Sequence, residues 1–264
     1  MRKSFLHISA VTAVLLMSIL PAAGQGTYRA PRGPDGHPDL NGIWQALSGP
    51  EWDLEGHAAQ ASLIVEAGTL LAEPGGMSVV DGGTIPYKPE ALAKKKQNYE
   101  NRLTLDPVVK CYLPGVPRAT YMPYPFQIFQ SDKYLAIAYE FDSAFRNIYL
   151  KDPGPAPVDT WMGQSYGHWE GDTLVVDVTG LDERTWFDRA GDYHSDTLHV
   201  VERYTPVAPN ILNYEATIED PKVFTRPWKI SLPLYKHVEK NAQLIEFKCV
   251  EFVEELMYGK FRKK

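Results

Sequence analysis

The feature that most constrains the fold is a succession of short strand-like segments in the second half of the chain. These segments are rich in β-branched and aromatic residues and are bounded by turn signals such as Ser131-Asp132 and Pro209-Asn210. No helical pattern separates one segment from the next, which excludes parallel βαβ units. We predict strands at residues 126–130, 134–141, 145–150, 166–170, 173–178, 198–204, 211–218, 228–234 and 244–250, preceded by one at 40–45.

Such a run of neighbouring strands predicts a mainly all-β fold, an antiparallel up-and-down barrel. Closure removes exposed sheet edges, and a barrel of about eight strands can enclose one small ligand. In segment 198–204, alternation places Leu198 and Glu202 on one face and His199 and Arg203 on the other. An apolar layer outside a barrel with a partly polar lumen would give polar residues on both faces of a strand. An ordinary solvated face would account for the polar residues on one of the two faces.

The first half of the mature chain has weaker patterning. Residues 25–39 should form an extended arm, and residues 49–86 an irregular excursion with a short helix around 58–67. Pro89 can begin a peripheral helix over 90–103, and the prolines of 106–125 favour loop over sheet. We therefore predict one β-barrel-like domain over 25–264, with an irregular N-terminal extension over about 25–125.

Residues 1–24 have the layout of a secretory signal peptide. Arg2 and Lys3 precede an apolar run, and small residues follow at Ala22 and Gly24, where signal peptidase requires them. The apolar run is shorter than the roughly 20 residues that span a bilayer. We expect cleavage, export to the periplasm or the medium, and no membrane insertion of the mature protein.

The charge balance excludes one class of partner. The chain has 27 basic and 33 acidic residues, a formal net charge of −6 that becomes −8 once Arg2 and Lys3 are removed. An acidic surface without a basic cluster argues against nucleic acid as a partner. The single basic run, at 94–96, lies on the predicted helix, and we interpret it as a solvated face. The sequence does not indicate an oligomeric state.

Two cysteines remain in the mature chain, Cys111 and Cys249. In an oxidising compartment such a pair is a candidate disulfide, which would join the entrance of the β region to its last predicted strand. Two buried free thiols are the alternative. Neither cysteine has the close Cys or His spacing of a metal site, and no metal or cofactor is predicted.

The densest group of chemically useful side chains lies at 182–199, which should be a loop at the barrel mouth. His194 is the candidate general base or acid, because imidazole titrates near neutral pH. Asp188 or Asp196 could orient it, and Arg184 could hold a carboxylate or stabilise an oxyanion. The alternative is a well-capped polar loop whose aspartates accept backbone hydrogen bonds.

A second set of side chains is predicted to line a ligand site. Glu140 and Tyr139 close one strand, and the alternative is a cross-strand ion pair between Glu140 and Arg146. Large aromatic residues also commonly fill a β core. The predicted ligand-contacting residues are Tyr139, Glu140, Trp161, His168, Trp186 and His199.

Several segments resemble a family of exported bacterial proteins of undefined activity. They include the PDLNGIW segment at 38–44, GHWEGDTLVVD at 167–177 and RTWFD at 184–188. The resemblance spans nearly all of the mature chain and implies an exported, periplasmic, β-barrel-like protein. Gln164 and His168 stand where the family has His and Arg, so no role is carried over to them. A weaker likeness, through Asn41-Gly42-Ile43-Trp44, is to lipocalin-like (calycin-like) barrels.

Two functions remain open at the level of sequence. The first is a cofactor-independent enzyme, a lyase, hydrolase or isomerase that acts on a small hydroxylated, carbohydrate-like or aromatic compound through His194 and Asp188. The second is a non-enzymatic barrel that binds a small apolar or amphipathic ligand. The chain contains no phosphate loop or dinucleotide fingerprint, which excludes the mechanisms that those motifs carry. The segment Gly163-Gln164-Ser165-Tyr166-Gly167 has Gly-x-Ser-x-Gly spacing, but it leads into a predicted strand and not into a helix, so it is not the nucleophile elbow of an α/β-hydrolase.

Overall fold

A computed structural model describes residues 28–47, 49–61 and 72–261 of the chain. The predicted signal peptide at 1–24 and most of the predicted helix at 58–67 lie outside the described residues. Within the described part of that helix, Gln60 pairs with Glu73 in an isolated antiparallel bridge, so no helix begins there. None of the helices in the described part of the chain has the length and apolar character to cross a bilayer.

The fold is a closed barrel of nine strands, which confirms the predicted mainly all-β barrel. Strands neighbour one another in sequence order, and the last pairs with the first, Gln45 lying opposite Tyr235. The strands are β1 Gly42–Ala46, β2 Phe126–Gln130, β3 Leu135–Tyr139, β4 Phe145–Tyr149, β5 Gln164–Glu170, β6 Thr173–Thr179, β7 His199–Ala208, β8 Ile211–Glu219 and β9 Trp228–Lys236.

Two strand predictions differ from the structure. The pair β4–β5 is parallel, with Ile148 opposite Ser165 and Tyr149 opposite Tyr166, so the barrel is not antiparallel throughout. Residues 244–250 form no strand. Because β9 pairs with β1 and closes the ring, no free sheet edge is left for residues 244–250. Their alternating pattern therefore does not lead to a strand.

Every second residue of the longer strands points inward and is buried, as in β8, where Tyr214, Ala216 and Ile218 have no exposed surface. Side chains therefore fill the barrel, and apolar groups rather than polar ones dominate its interior. The barrel also holds a buried ion pair between Arg146 and Glu202. The predicted Glu140–Arg146 pair is therefore wrong, because Arg146 points into the barrel whereas the carboxylate of Glu140 accepts the N–H of Ile245, at 3.0 Å.

Short helices cover one side of the barrel. In place of one predicted helix at 90–103, the chain forms α1 Leu92–Glu100 and α2 Arg102–Leu105. The predicted loop at 106–125 contains a 3₁₀ turn, Pro107–Lys110, and a buried helix, α3 Arg118–Tyr121. Proline is compatible with the first turn of a helix, which is where Pro107 stands. The remaining short elements are a 3₁₀ turn Phe141–Ser143, α4 Val253–Tyr258 and a 3₁₀ turn Gly259–Phe261.

Two long-range links hold this cover in place. The guanidinium of Arg118 donates two hydrogen bonds of 2.8 Å to Asp106, with both side chains buried. Cys111 and Cys249 form a disulfide, as predicted, with their Cα atoms 5.7 Å apart. Structural disulfides are typical of oxidising, non-cytoplasmic compartments.

Candidate functional site

A surface groove of about 280 Å³ lies between α1, the 3₁₀ turn Pro107–Lys110 and the loop that follows β6. Leu105, Pro107 and Asn98 contribute to its walls. We call it the aromatic–cationic groove, after the six side chains that define it: Lys94, Lys110, Tyr112, Trp161, Arg184 and Trp186.

Aromatic rings form the platform of this groove. The rings of Tyr112 and Trp161 stack, with their centroids 4.8 Å apart. The guanidinium carbon of Arg184 lies 4.5 Å from the centroid of Trp161, a cation–π contact. Trp186 is almost fully buried, whereas nearly half of the Tyr112 surface is exposed. The platform is thus open to solvent through the ring of Tyr112.

The groove carries a surplus of positive charge on an acidic protein. Lys94, Lys110 and Arg184 line it, and Glu183 is its one acidic residue. Arg184 is paired with Asp182. Within residues 28–47, 49–61 and 72–261, no carboxylate lies within ion-pair distance of Lys94 or Lys110. In the described part of the chain, neither of these two lysines is therefore neutralised by a direct ion pair.

The loop is held against α1 by a close backbone approach at Gly191. Its φ of +85° suits glycine, and an added Cβ would lie 2.7 Å from the backbone nitrogen of Tyr99. The side-chain amide of Asn98 donates to the carbonyl of Gly191 at 3.1 Å. A bridge between Trp186 and Tyr193 then sets the position of the Trp186 ring. Glycine at position 191 thus brings the lysine-bearing helix beside the tryptophan-bearing loop.

The three lysines at 94–96 have different environments, contrary to their interpretation as one solvated face. Lys94 lines the groove, and its Nζ lies 4.3 Å from the centroid of the Tyr193 ring. Lys95 forms ion pairs of 2.9 Å with Glu55 and with the buried Asp192. Lys96 is the solvated member, 3.9 Å from Glu100 one turn along the helix.

His194, the predicted general base, is buried, with 1% of its surface exposed. The carbonyl of Ser195 lies 2.8 Å from Nδ1 and can only accept, so Nδ1 carries a proton, while Nε2 lies 2.6 Å from the hydroxyl of Thr185. Burial lowers the pKa of His194, which favours the neutral imidazole. The ring packs against Phe187, with centroids 5.4 Å apart, and behaves as a core histidine.

Asp188, the predicted partner of His194, caps backbone instead. Its two oxygens accept from the N–H of Leu54, at 3.0 Å, and of Asp192, at 3.1 Å. Burial, and then the charge of Asp192, raise the pKa of Asp188 well above its usual value. These contacts are those of a well-capped polar loop, which was the alternative prediction for this segment.

Asp188 also belongs to the one group of possible metal ligands among the described residues. Asp53, Asp188 and Asp192 each place a carboxylate oxygen within 4.8 Å of the others. Lys95 contacts Asp192 and already supplies positive charge there. The geometry therefore describes a buried ion pair, and the absence of a metal stays a prediction.

The other predicted ligand residues are spread over three places. Tyr139 lies inside the barrel, where Arg146 donates to its hydroxyl at 3.4 Å. Glu140 is tied to the C-terminal segment through Ile245. His168 and His199 lie on the outer face of the sheet, where His199 Nε2 is 3.2 Å from Asp177.

The structure therefore brings Arg184, Trp161 and Trp186 together in one groove, and neither His194 nor Asp188 lines it. Sequence reasoning missed Lys94, Lys110 and Tyr112. The lysine run was visible, but nothing in its local pattern showed that one member faces a groove built from other segments.

The comparisons with known proteins give no match: no family model matches the chain, and neither a curated protein nor a solved structure is significantly similar to it.

Proposed function

We propose that the chain is an exported binding protein for a small, ring-containing anion, held in the aromatic–cationic groove. The observation that carries the proposal is the stacked Tyr112–Trp161 platform beside two lysines that lack a carboxylate partner. Ring faces stack on exposed aromatic platforms, and unpaired cations attract a carboxylate. The disulfide supports an oxidising destination.

Acid–base catalysis has less support from the geometry. A general base must lie within hydrogen-bond reach of the proton that it abstracts. Both ring nitrogens of His194 are occupied by Thr185 and Ser195, and the ring is buried. Asp188 hydrogen bonds to backbone N–H groups and not to the imidazole. The groove offers positioning groups but no buried titratable base, which favours binding over turnover.

The ligand class follows from the lining. A planar ring or a pyranose ring suits the exposed face of the platform, because both present flat apolar surface. A carboxylate on that ring would meet Lys110 or Lys94, and Arg184 can add a bidentate contact. Hydroxylated aromatic acids and uronic acids both have this combination, and both fall in the class of hydroxylated, carbohydrate-like or aromatic compounds that the sequence suggested as substrates of an enzyme.

Calorimetric titration of the mature protein with two ligand panels tests the proposal. One panel contains hydroxylated benzoates and cinnamates, and the other contains uronic acids, each beside its neutral amide or alcohol. We expect one acid panel to bind and its neutral analogues to bind about tenfold more weakly, because losing a charge-assisted contact costs roughly 1.5 kcal/mol.

Variants locate the binding. Trp161→Ala and Lys110→Met should each weaken the acid about tenfold, because each removes one favourable contact. Lys240→Met is the matched control, since Lys240 is an exposed lysine in the turn after β9, outside the groove. Acids that bind equally well to Trp161→Ala, Lys110→Met and the control would move the site elsewhere.

A further inference from the structure

A second cavity, of about 300 Å³, lies on the other side of the segment that walls the groove. Leu105, Pro107 and Lys110 face the groove, whereas Leu103, Val108 and Val109 face this cavity. The two concave sites therefore share one wall and open on opposite sides of it. We call the second site the C-terminal cavity, because residues 247–255 form much of its lining.

Three aromatic rings form one end of the C-terminal cavity. Tyr124 lies 5.4 Å from Phe141 and 4.9 Å from Phe247, and Phe141 lies 4.8 Å from Phe247, all centroid to centroid. Tilted and edge-on contacts at these distances are favourable arrangements of aromatic rings. Val109 and Val250 add aliphatic surface. The lining is thus mainly apolar and suits the ring of a ligand.

Four of the five charged residues that line this cavity form ion pairs, in contrast to the lysines of the groove. Arg189 pairs with Glu254 at 2.9 Å, Asp106 with Arg118 at 2.8 Å, and Lys248 with Glu246 at 2.6 Å. A charged ligand entering here would lose hydration without meeting an unpaired counter-ion. The charge pattern therefore selects an uncharged occupant.

The C-terminal segment forms its share of the wall without strand pairing. The N–H of Phe252 donates to the carbonyl of Val109 at 2.7 Å, and Cys249 is bonded to Cys111 at the end of the same 3₁₀ turn. These two links attach the segment to the wall shared with the groove. The disulfide therefore attaches the C-terminal wall of the cavity directly, whereas the groove contains no residue of the C-terminal segment and meets the disulfide only through Lys110 and Tyr112, the neighbours of Cys111.

We propose that the C-terminal cavity is a second ligand site, for an uncharged molecule of one or two rings. A volume of about 300 Å³ stands at the small end of the range for ligand pockets, which limits the occupant to about that size. The aromatic end and the paired charges set its chemistry. This site goes beyond the proposed function, because it shares no lining residue with the aromatic–cationic groove.

A matched pair of fluorescent probes separates the two sites. 2-Naphthalenemethanol is uncharged, and 2-naphthoate has the same rings with a carboxylate. Val109→Trp fills the C-terminal cavity, and Lys110→Met, the neighbouring residue, removes a cation from the groove only. We expect Val109→Trp to weaken the alcohol at least tenfold and to leave the acid unchanged, with the reverse pattern for Lys110→Met.

Two further measurements keep the test decisive. If Val109→Trp does not fold by circular dichroism, Phe247→Leu replaces it and should weaken the alcohol by a smaller factor. Reduction of the disulfide should weaken the alcohol more than the acid, because the C-terminal segment contributes residues to the cavity and none to the groove. Alcohol binding that is undetectable at millimolar probe, or that is unaffected by Val109→Trp, Phe247→Leu and reduction, overturns the C-terminal cavity as a site. Loss of acid binding alone counts only against the groove.

Discussion

The inner and outer faces of strands β4–β8 carry the same kinds of charged group in opposite surroundings. Inside the barrel, Arg146 pairs with Glu202, and both are almost fully buried. Outside, His168, Asp177 and His199 form a row that is about one-third exposed. On β7, for example, Glu202 lies in the low-dielectric core, whereas the side chain of its neighbour Arg203 is partly exposed to water.

The difference lies in how completely each charge is solvated by the protein. Glu202 accepts hydrogen bonds from Tyr204, at 3.0 Å, and from Tyr214, at 2.8 Å, and Arg146 donates to Ser165 at 2.7 Å. Burial and the charge of Glu202 raise the pKa of Tyr204 and Tyr214, so both hydroxyls keep their protons and can donate. The side chains of the outer row make fewer and longer contacts with other protein groups, because water can supply their remaining hydrogen bonds.

The largest expected effect comes from Arg146→Met. The substitution leaves the carboxylate of Glu202 buried without its cation, which should lower the free energy of unfolding by about 3–5 kcal/mol. Urea titration measures it, with Arg203→Met on the outer face as the matched control. A loss no larger than that of the control would mean that the barrel interior is hydrated.

Tyr214→Phe should have an intermediate effect. It removes one of the two hydroxyl donors to Glu202 and retains the ring, and the expected loss is about 1–3 kcal/mol because a charged acceptor is left short of a donor. Urea unfolding measures this loss as well. Tyr235→Phe, whose ring lies partly exposed on β9, is the control. Equal stability of the two variants would contradict the claim that the tyrosines solvate Glu202.

Histidines extend the comparison to pH. Burial lowers the folded-state pKa of His194. Below about pH 6.5 the imidazole therefore binds a proton in the unfolded chain that it does not bind in the folded chain. Stability is therefore unaffected above that pH and falls as the pH drops below it, by about 1.4 kcal/mol for each unit of pKa difference.

His194→Gln should remove part of this acid sensitivity, seen as a shallower fall in the urea midpoint between pH 7.5 and 5.5. His199→Gln, on the partly exposed outer face, is the control. Parallel pH profiles for wild type and His194→Gln would show that the imidazole becomes charged inside the fold.

The smallest effect is expected for His199→Gln at neutral pH. Its contacts with Asp177 and Glu219, at 3.2 and 3.5 Å, are partly exposed, and such pairs contribute about 0–1 kcal/mol. Addition of 1 M salt should remove the difference from wild type, because salt screens exposed charges and has little effect on buried pairs. A salt-resistant loss would indicate that the outer row is as well solvated by the protein as the inner one.

Much of the barrel follows from local pattern. The predicted segment 126–130 coincides with β2, because turn signals and apolar alternation mark both of its ends. Segment 244–250 has a similar pattern and forms no strand, since pairing depends on a free sheet edge and the closed ring offers none. Local sequence records which residues suit a strand but not whether a partner strand is available.

The candidate site was less predictable for a related reason. The groove combines residues from three separate connections, Lys110, Trp161 and Arg184, which lie together only in the tertiary structure. The same holds for Arg146 and Glu202, which are 56 residues apart and were not paired in the sequence-based prediction. Residue type showed that Arg184 and Trp161 could contact a ligand, whereas the identity of their neighbours required the tertiary fold.

The parallel contact between β4 and β5 follows from parity. A closed ring with an odd number of strands cannot alternate direction all the way round, so nine strands require one parallel seam. Parallel neighbours cannot be joined by a tight hairpin, so residues 150–163 must travel back along the whole length of the barrel. Trp161 lies on that return path. The odd strand count thus gives the molecule the long excursion from which it builds half of its aromatic platform.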